Sequence, residues 1–216
     1  MESSTCEPLR RRLVVATTNL DKLREIRLIL SGLDVEVVAL QSYPGIAEPI
    51  EHGETFAENA RAKALYYAER TGEMVVAEDS GLEVDALDGA PGVHSARYGG
   101  PSAPTYPDKF NLIYTNLRSR GRTTSPARFV CALALARGGR ILFETRASVE
   151  GTIAPEPRGE GGFGYDPIFY YPPYGRTLAE VSAPRKAEVS HRGQAFHRLR
   201  HYLDERDSLA NEGERS

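Results

Sequence analysis

The stretch FVCALALARGGRILFETRASV, residues 129–149, decides the fold of this chain. Two β-rich segments, 129–136 and 141–149, flank the turn RGGR at 137–140, which is the pattern of an antiparallel hairpin. The first segment is apolar at every position, so we expect it to be buried on both faces. The hairpin is therefore predicted to lie at the centre of a sheet.

Strands and helices alternate in the half of the chain that precedes this hairpin. Apolar runs at 13–16, 35–40 and 74–77 predict strands. Leu20, Leu23, Ile26 and Leu30 recur at helical spacing, and Thr55 and Glu58 form a capping box that opens a helix ending near Gly72. Further predictions are a helix over 110–117 with Phe110, Ile113 and Leu117 inside, an extended segment at 167–171, and a last amphipathic helix over 195–203. The class is mixed α/β around a partly antiparallel sheet.

Composition and charge narrow the range of functions. The chain has 216 residues, 40% hydrophobic and 26% charged, which predicts one globular domain over 13–207 with flexible segments at 1–12 and 208–216. Thirty acidic against 27 basic residues give a net charge of −3, so no overall positive field attracts nucleic acid or an anionic membrane. Two cysteines and the lack of a long apolar stretch predict a cytoplasmic protein without a membrane span.

A first candidate site is TTNLDK, residues 17–22, where a predicted strand passes into a helix. Free N–H groups and the positive end of the helix dipole lie at such a junction, and Lys22 follows within the first turn. These features are typical of a phosphate-binding turn. The alternative is an ordinary Asn or Thr cap followed by a solvated lysine.

A second candidate site is EDSG, residues 78–81, which we expect at the end of the third strand. Two adjacent carboxylates, with Glu48, Glu51 and Glu54 in the loop before the capping box, suit a hard cation such as Mg²⁺. One carboxylate could also serve as a general base. The alternative is a turn cap beside ordinary surface acids.

Two further clusters lie near the C-terminus. Lys186 and the segment SHRG at 190–193 place an ammonium, an imidazole and a guanidinium close together, which suits a phosphate or a polar base edge; the alternative is a basic helix start. In GEGGFGYD, 159–166, Phe163 or Tyr165 could stack on a planar base or simply pack in the core. His197 and His201 are four residues apart but lack the glutamate of H-E-x-x-H, so we expect them to face solvent.

Five stretches form a combined pattern along nearly the whole chain. They are TxNxxKxxE at 17–25, TFxENAxxKA at 55–64, DSG at 79–81 with GAPGV at 89–93 and SARY at 95–98, GFGYDPIF at 162–169, and SHRG at 190–193. In this order they resemble the inosine/xanthosine triphosphate pyrophosphatase family, which removes non-standard purine nucleoside triphosphates. Thr18, Glu78 and the segment 101–107 depart from the usual pattern.

The resemblance implies an elongated central mixed sheet, two lobes with a cleft between them, a homodimer, and Mg²⁺-dependent hydrolysis to a nucleoside monophosphate and pyrophosphate. It assigns Asp79 to the metal and to general-base catalysis, and it assigns a loop acid to the metal, here Glu51 by its distance from Gly53, with Glu48 as the alternative. Residues implied to bind the triphosphate or the purine are Thr17, Thr18, Asn19, Leu20, Asp21, Lys22, Lys63, Ser80, Phe163, Gly164, Tyr165, Asp166, Lys186, His191 and Arg192.

The chemistry of the residues agrees with this assignment. A triphosphate carries about four negative charges, which Mg²⁺ and the lysines would neutralise while an acid orients the attacking water. Donors on His191 and Arg192 would favour a 6-oxo purine over a 6-amino purine. Two other hypotheses remain open, namely a nucleotide-binding module without turnover and a pyrophosphatase for modified pyrimidine triphosphates.

Overall fold

The computed structural model describes the backbone of residues 11–213 and the side chains of 11–206. Its strands and helices follow the predicted alternation. The strands are β1 (Arg11–Val15), β2 (Val35–Ala39), β3 (Met74–Val84), β4 (Pro126–Arg137), β5 (Arg140–Ile153), β6 (Phe169–Tyr171) and β7 (Arg176–Thr177), and the helices are α1 (Leu20–Ile29), α2 (Phe56–Thr71), α3 (Tyr106–Ser119), α4 (Ala183–Val189) and α5 (His191–Gly213).

One mixed sheet of seven strands runs in the order β2-β1-β3-β4-β5-β6-β7. The strands β2, β1 and β3 are parallel, whereas each pair from β3 to β7 is antiparallel. The prediction of a central hairpin is confirmed, because β4 is the fourth of the seven strands. Gly138 and Gly139 join β4 to β5 with φ angles of 54° and 72°, a tight turn that favours glycine at both positions.

Local sequence explains where the helices begin and end. The predicted capping box is present at α2, where the Thr55 side chain accepts a hydrogen bond from the Glu58 N–H and Glu58 bonds back to the cap. This helix ends at Gly72, which has a φ of 71°. A second capping box, Thr105 with Asp108, opens α3. The helix predicted over 110–117 is therefore confirmed and begins four residues earlier.

The two faces of the sheet carry separate apolar clusters. Helices α1 and α5 cover one face through residues such as Ile26 and Phe196, and α2 covers the other through Phe56 and Ala64. A third cluster surrounds α3 at the far end of the sheet. Leu20 is an exception to the predicted inner stripe of α1, because it stands at the first helical position with 61% of its surface exposed.

Two predicted boundaries differ from the structure. Strand β3 does not end at Ala77 but continues to Val84, because residues 78–84 pair with β4 in an unbroken antiparallel ladder. The extended segment predicted at 167–171 is shorter, since a turn of 3₁₀ helix at Asp166–Ile168 precedes β6.

The ends of the chain are only partly described. The expected N-terminal segment lies outside the described residues except for positions 11 and 12, which belong to β1. Helix α5 extends through Gly213 into the segment expected to be a tail, and 214–216 lie outside the described residues. Among the helices that the structure describes, none has the length and apolarity to cross a membrane.

Candidate functional site

Strand β1 ends at Val15, and the chain then turns into α1 through residues 16–19. Asn19 is the N-cap of α1, and its side chain accepts hydrogen bonds from the N–H groups of Asp21 and Lys22 at 2.9 and 3.1 Å. Asn19 therefore caps α1 as that interpretation proposed, but the lysine after it is not solvated, because Lys22 pairs with Glu78 at 3.2 Å. The cap also fixes Lys22, whose ammonium leaves the first turn of α1 toward β3.

The strand β3 places its two adjacent carboxylates on opposite faces of the sheet. Side chains alternate along a strand, and beyond Val76 β1 no longer pairs with β3. Glu78 consequently faces α1 and α5, while Asp79 faces α2. The expectation that the two acids lie at a strand end is wrong, because β3 continues through them and alternation directs them to opposite faces.

Glu78 is buried and binds two cations that come from different helices. Its Oε1 accepts a hydrogen bond from Arg192 Nε at 2.8 Å and lies 3.2 Å from Lys22 Nζ. The Cys131 thiol donates to Oε2 at 3.4 Å. Burial raises the pKa of Glu78, but Arg192 and Lys22 outweigh it and hold that pKa well below its usual range. The side chain is therefore an anion that joins α1 to α5.

Glu25 extends this ion-pair network. Its two carboxylate oxygens accept hydrogen bonds from Lys186 Nζ and Arg192 Nη1, both at 2.7 Å. Lys186 also pairs with the buried Asp166, and Arg192 donates to Ser80 Oγ at 3.0 Å. Glu25 ends the TxNxxKxxE motif, but we did not assign it a role in the site. Its position three residues after Lys22, and so on the same face of α1, was the available signal.

Aromatic rings form the walls next to these cations. The Phe163 ring, which is half-buried, lies 4.7 Å from Lys186 Nζ and 5.3 Å from the Arg192 guanidinium. Tyr165 packs in the core around α3 and donates its hydroxyl to the Ser95 carbonyl, so for this ring the packing alternative holds. Tyr106, at the first position of α3, stands edge-on to Tyr165 at 5.3 Å.

His191 stacks on Phe129, with 4.9 Å between the ring centres. Its Nδ1 atom is buried and has no hydrogen-bond partner. Burial lowers the pKa of His191 well below its usual range, and the neighbouring Arg192 lowers it further. The imidazole is therefore neutral near pH 7, and its Nδ1 is a buried polar atom without a partner.

The α2 side of the strand holds a second group of charges. Asp79 Oδ2 accepts a hydrogen bond from Asn59 at 2.9 Å, and Asp79 Oδ1 lies 4.0 Å from Lys63 Nζ. Lys63 Nζ is also 2.7 Å from Glu51 Oε1, and Arg97 lies 3.7 Å from Glu51 Oε2. Burial raises the pKa of Asp79 despite Lys63. Burial also raises that of Glu51, but there the bond to Lys63 outweighs it and the pKa falls.

These groups line two adjoining clefts, which we call the α5-side cleft and the α2-side cleft. The two clefts share Asn19, Lys22, Ser80 and Ala96. The α5-side cleft is further lined by Gly81, Ser95, Tyr106, Phe129, Phe163, Gly164, Tyr165, Asp166, Lys186, His191 and Arg192, and the α2-side cleft by Thr17, Thr18, Glu48, Ile50, Glu51, Lys63, Tyr67, Glu78, Asp79 and Arg97, among others.

Most of the predicted site residues therefore meet across the open edge of β3. Leu20 and Asp21 do not line either cleft: Leu20 is exposed, and Asp21 pairs with Arg24 on the surface of α1. His197 and His201 are exposed, as predicted. Within residues 11–206 no group of three or more His, Cys, Asp or Glu side chains is arranged to hold a metal ion. Any metal bound here needs ligands from elsewhere besides Glu51 and Asp79.

Comparison with known proteins gives similarities over almost the whole chain. A model of the Ham1 family matches residues 13–202, which include every residue of both clefts. A dITP/XTP pyrophosphatase of Exiguobacterium sp. is 47% identical over 188 residues, 87% of this chain and 94% of its own length. One of Gloeobacter violaceus is 48% identical over 88% of this chain and 92% of its own. A HAM1 protein structure from Coxiella burnetii has a TM-score of 0.82 at 38% identity and covers 90% of this chain and 99% of its own.

Proposed function

Because the chain belongs to the Ham1 family, we propose that it hydrolyses noncanonical purine nucleoside triphosphates, such as dITP, ITP and XTP, to the nucleoside monophosphate and pyrophosphate. The observation that carries the proposal is the junction of the two clefts at Lys22. One cleft offers aromatic walls and neutral or cationic hydrogen-bond donors, and the other offers lysines beside carboxylates. A purine and its triphosphate match these two chemistries in that order.

Arg192 and His191 select the base in this proposal. A guanidinium has five N–H groups, all of them donors, and Arg192 uses three of them on Glu78, Glu25 and Ser80. The remaining two N–H groups can meet a 6-oxo group, and His191 lines the same cleft. A 6-amino purine would present donors to these donors and lose affinity. Phe163 supplies a face for stacking, which contributes about 1–3 kcal/mol per base.

Glu51 and Asp79 would hold Mg²⁺ on the triphosphate side. Their hard carboxylate oxygens already surround a cation, the Lys63 ammonium, and Mg²⁺ is commonly bound by one or two carboxylates together with substrate phosphates. When bound, Mg²⁺ supplies charge that offsets the repulsion between the phosphates and an attacking oxygen. Glu48 lines the same cleft but forms no ion pair with Lys63 in the structure, which favours Glu51.

Asp79 orients the attacking water and accepts its proton. Asn59 fixes Oδ2, and the Ser80 N–H donates to Oδ1 at 3.0 Å, so the carboxylate is held in one orientation. The water attacks the α-phosphorus, the bond between the α- and β-phosphates breaks, and Lys22 and Lys63 stabilise the departing pyrophosphate. The family resemblance also supports a homodimer and a cytoplasmic location, where the nucleotide pool is accessible.

The two alternative functions receive less support. The named relatives are pyrophosphatases, which does not favour a binding module without turnover. Nothing in the α5-side cleft favours a modified pyrimidine over a purine.

Pyrophosphate release from ITP, XTP, ATP and dUTP, each with Mg²⁺ and with a chelator, tests the proposal. We expect turnover of ITP and XTP that the chelator abolishes. The variant Asp79→Asn should lose at least about a hundredfold in kcat, since general-base catalysis contributes about 10²–10⁴-fold. The matched control is Asp85→Asn, an aspartate beyond the end of β3 that pairs with Arg128 outside both clefts. Folded protein that releases no pyrophosphate from any purine triphosphate would refute the proposed function.

A further inference from the structure

We infer that Lys63 is a built-in competitor of the divalent metal: it is the counter-ion of Glu51 and Asp79, and it must leave them before a metal can bind there. The metal therefore enters together with the nucleotide, whose phosphates receive the released ammonium. The inference rests on the proposed function for the identity of the nucleotide. It concerns a role of Lys63 besides phosphate binding.

The position of Lys63 is fixed from several sides. It lies on α2, two turns after the capping box, and only 13% of its side chain is exposed. Its ammonium is in contact with Glu51 at 2.7 Å and reaches Asp79 at 4.0 Å. Asn59, one turn earlier on the same helix, holds Asp79 in place. The lysine and both acids are thus a preformed unit and not a flexible surface pair.

Competition follows from the small number of acidic ligands. A divalent ion at this position could use only Glu51 and Asp79 among the described side chains that contact Lys63, and the ammonium already uses the same oxygens. A binding metal must therefore displace a positive charge that is in direct contact with its ligands. Such a displacement is costly in a partly buried site, where charges interact more strongly than in water.

The nucleotide relieves this cost. Its phosphates can pair with the displaced ammonium and complete the coordination of the metal at the same time. Lys22 and Arg97 line the same cleft, so a polyanion that enters meets other cations close to Lys63. When nucleotide and metal bind together, the ion pair between Lys63 and the acids is replaced by a pair between Lys63 and a phosphate and by contacts between the acids and the metal. Neither the lysine nor the acids are then left unpaired.

Mn²⁺ titration of the protein without nucleotide tests the inference, with free Mn²⁺ measured by electron paramagnetic resonance. Lys63→Met keeps an unbranched side chain one atom shorter and removes the charge, and we expect it to bind Mn²⁺ about tenfold more tightly than the wild type, or more. Lys63→Arg keeps the charge and should bind as weakly as the wild type. Lys22→Met removes a cation in the same cleft that contacts Glu78 and not Glu51, so its gain should stay below about threefold.

Three results would overturn the inference: equal affinity of Lys63→Met and the wild type, an equal gain in Lys22→Met, or Mn²⁺ binding by none of the proteins. Should Lys63→Met fail to fold, Arg97→Met tests the same competition at a half-exposed position, where a smaller gain is expected and no gain overturns it. The titration contains no nucleotide. A wild type that hydrolyses no triphosphate would refute the proposed function and leave this comparison valid.

Discussion

Replacing Glu78 by glutamine should destabilise the protein by about 3 kcal/mol at pH 7. Removing one partner of a buried ion pair costs about 3–5 kcal/mol, because the other charge stays buried without its counter-ion. The side chains of Glu78 and Arg192 are 2% and 3% exposed, so solvent cannot replace the lost carboxylate. Arg192 keeps its bonds to Glu25 and Ser80, which places the cost at the lower end of the range.

Urea unfolding followed by circular dichroism measures this effect, and the midpoint should fall by about 1 M. The matched control is Glu83→Gln on the same strand, where the pair with Arg128 is partly exposed and a loss below about 1 kcal/mol is expected. The folded pKa of Glu78 lies well below 4.5, so its contribution is complete above that pH and is lost as the pH falls through the folded value. A loss below about 1 kcal/mol at pH 7, or one that grows on acidification, would refute the reasoning.

Two other substitutions test the α5-side cleft and its support. Arg192→Lys removes the planar guanidinium that donates to three acceptors. The preference for ITP over ATP, measured as a ratio of kcat/KM values, should therefore fall by about tenfold or more. An unchanged ratio would exclude Arg192 from base recognition. Gly193→Ala would drive a Cβ into the Ala187 carbonyl oxygen, so the junction of α4 and α5 must shift and thermal unfolding should show a loss of about 1–3 kcal/mol. A melting temperature equal to that of the wild type would show that the junction absorbs the methyl group without strain.

Local signals in the sequence were sufficient for most of the fold. The apolar segment before Gly138 predicted a central hairpin, and the capping box at Thr55 placed the start of α2. Both signals depend on a few neighbouring residues and not on contacts with distant parts of the chain. The end of β3 was predicted wrongly because Glu78, Asp79 and Ser80 are polar, which usually marks a strand end. Here the polar groups are satisfied by partners from other elements, such as Arg192, so the ladder to β4 continues through them.

The sequence predicted which residues form the candidate site but not which of their side chains pair with one another. Lys22 and Arg192 stood out as cations at helix starts, Lys63 was assigned through the family resemblance, and each of them lines a cleft. Glu51 and Asp79 were predicted as acids of the site, whereas Glu25 was not assigned to it and Glu78 was placed at a strand end, because the bonds of these two acids to Arg192 join positions more than 100 residues apart. Arg192 and Glu78, for example, are 114 residues apart. Periodicity within one helix or strand carries no information on such a pair.

The adjacent acids of β3 show why a short motif can serve two chemistries. Two neighbouring carboxylates suggest one shared ligand, yet the period of two along a strand directs Glu78 to the helices α1 and α5 and Asp79 to α2. One acid then fixes the guanidinium proposed to select the base, and the next is free to orient water on the phosphate side. Inserting a residue between them would return both to the same face of the sheet. The two halves of the site are therefore tied to the register of a single strand, and the lysine at the start of α1 bridges them where β1 ends.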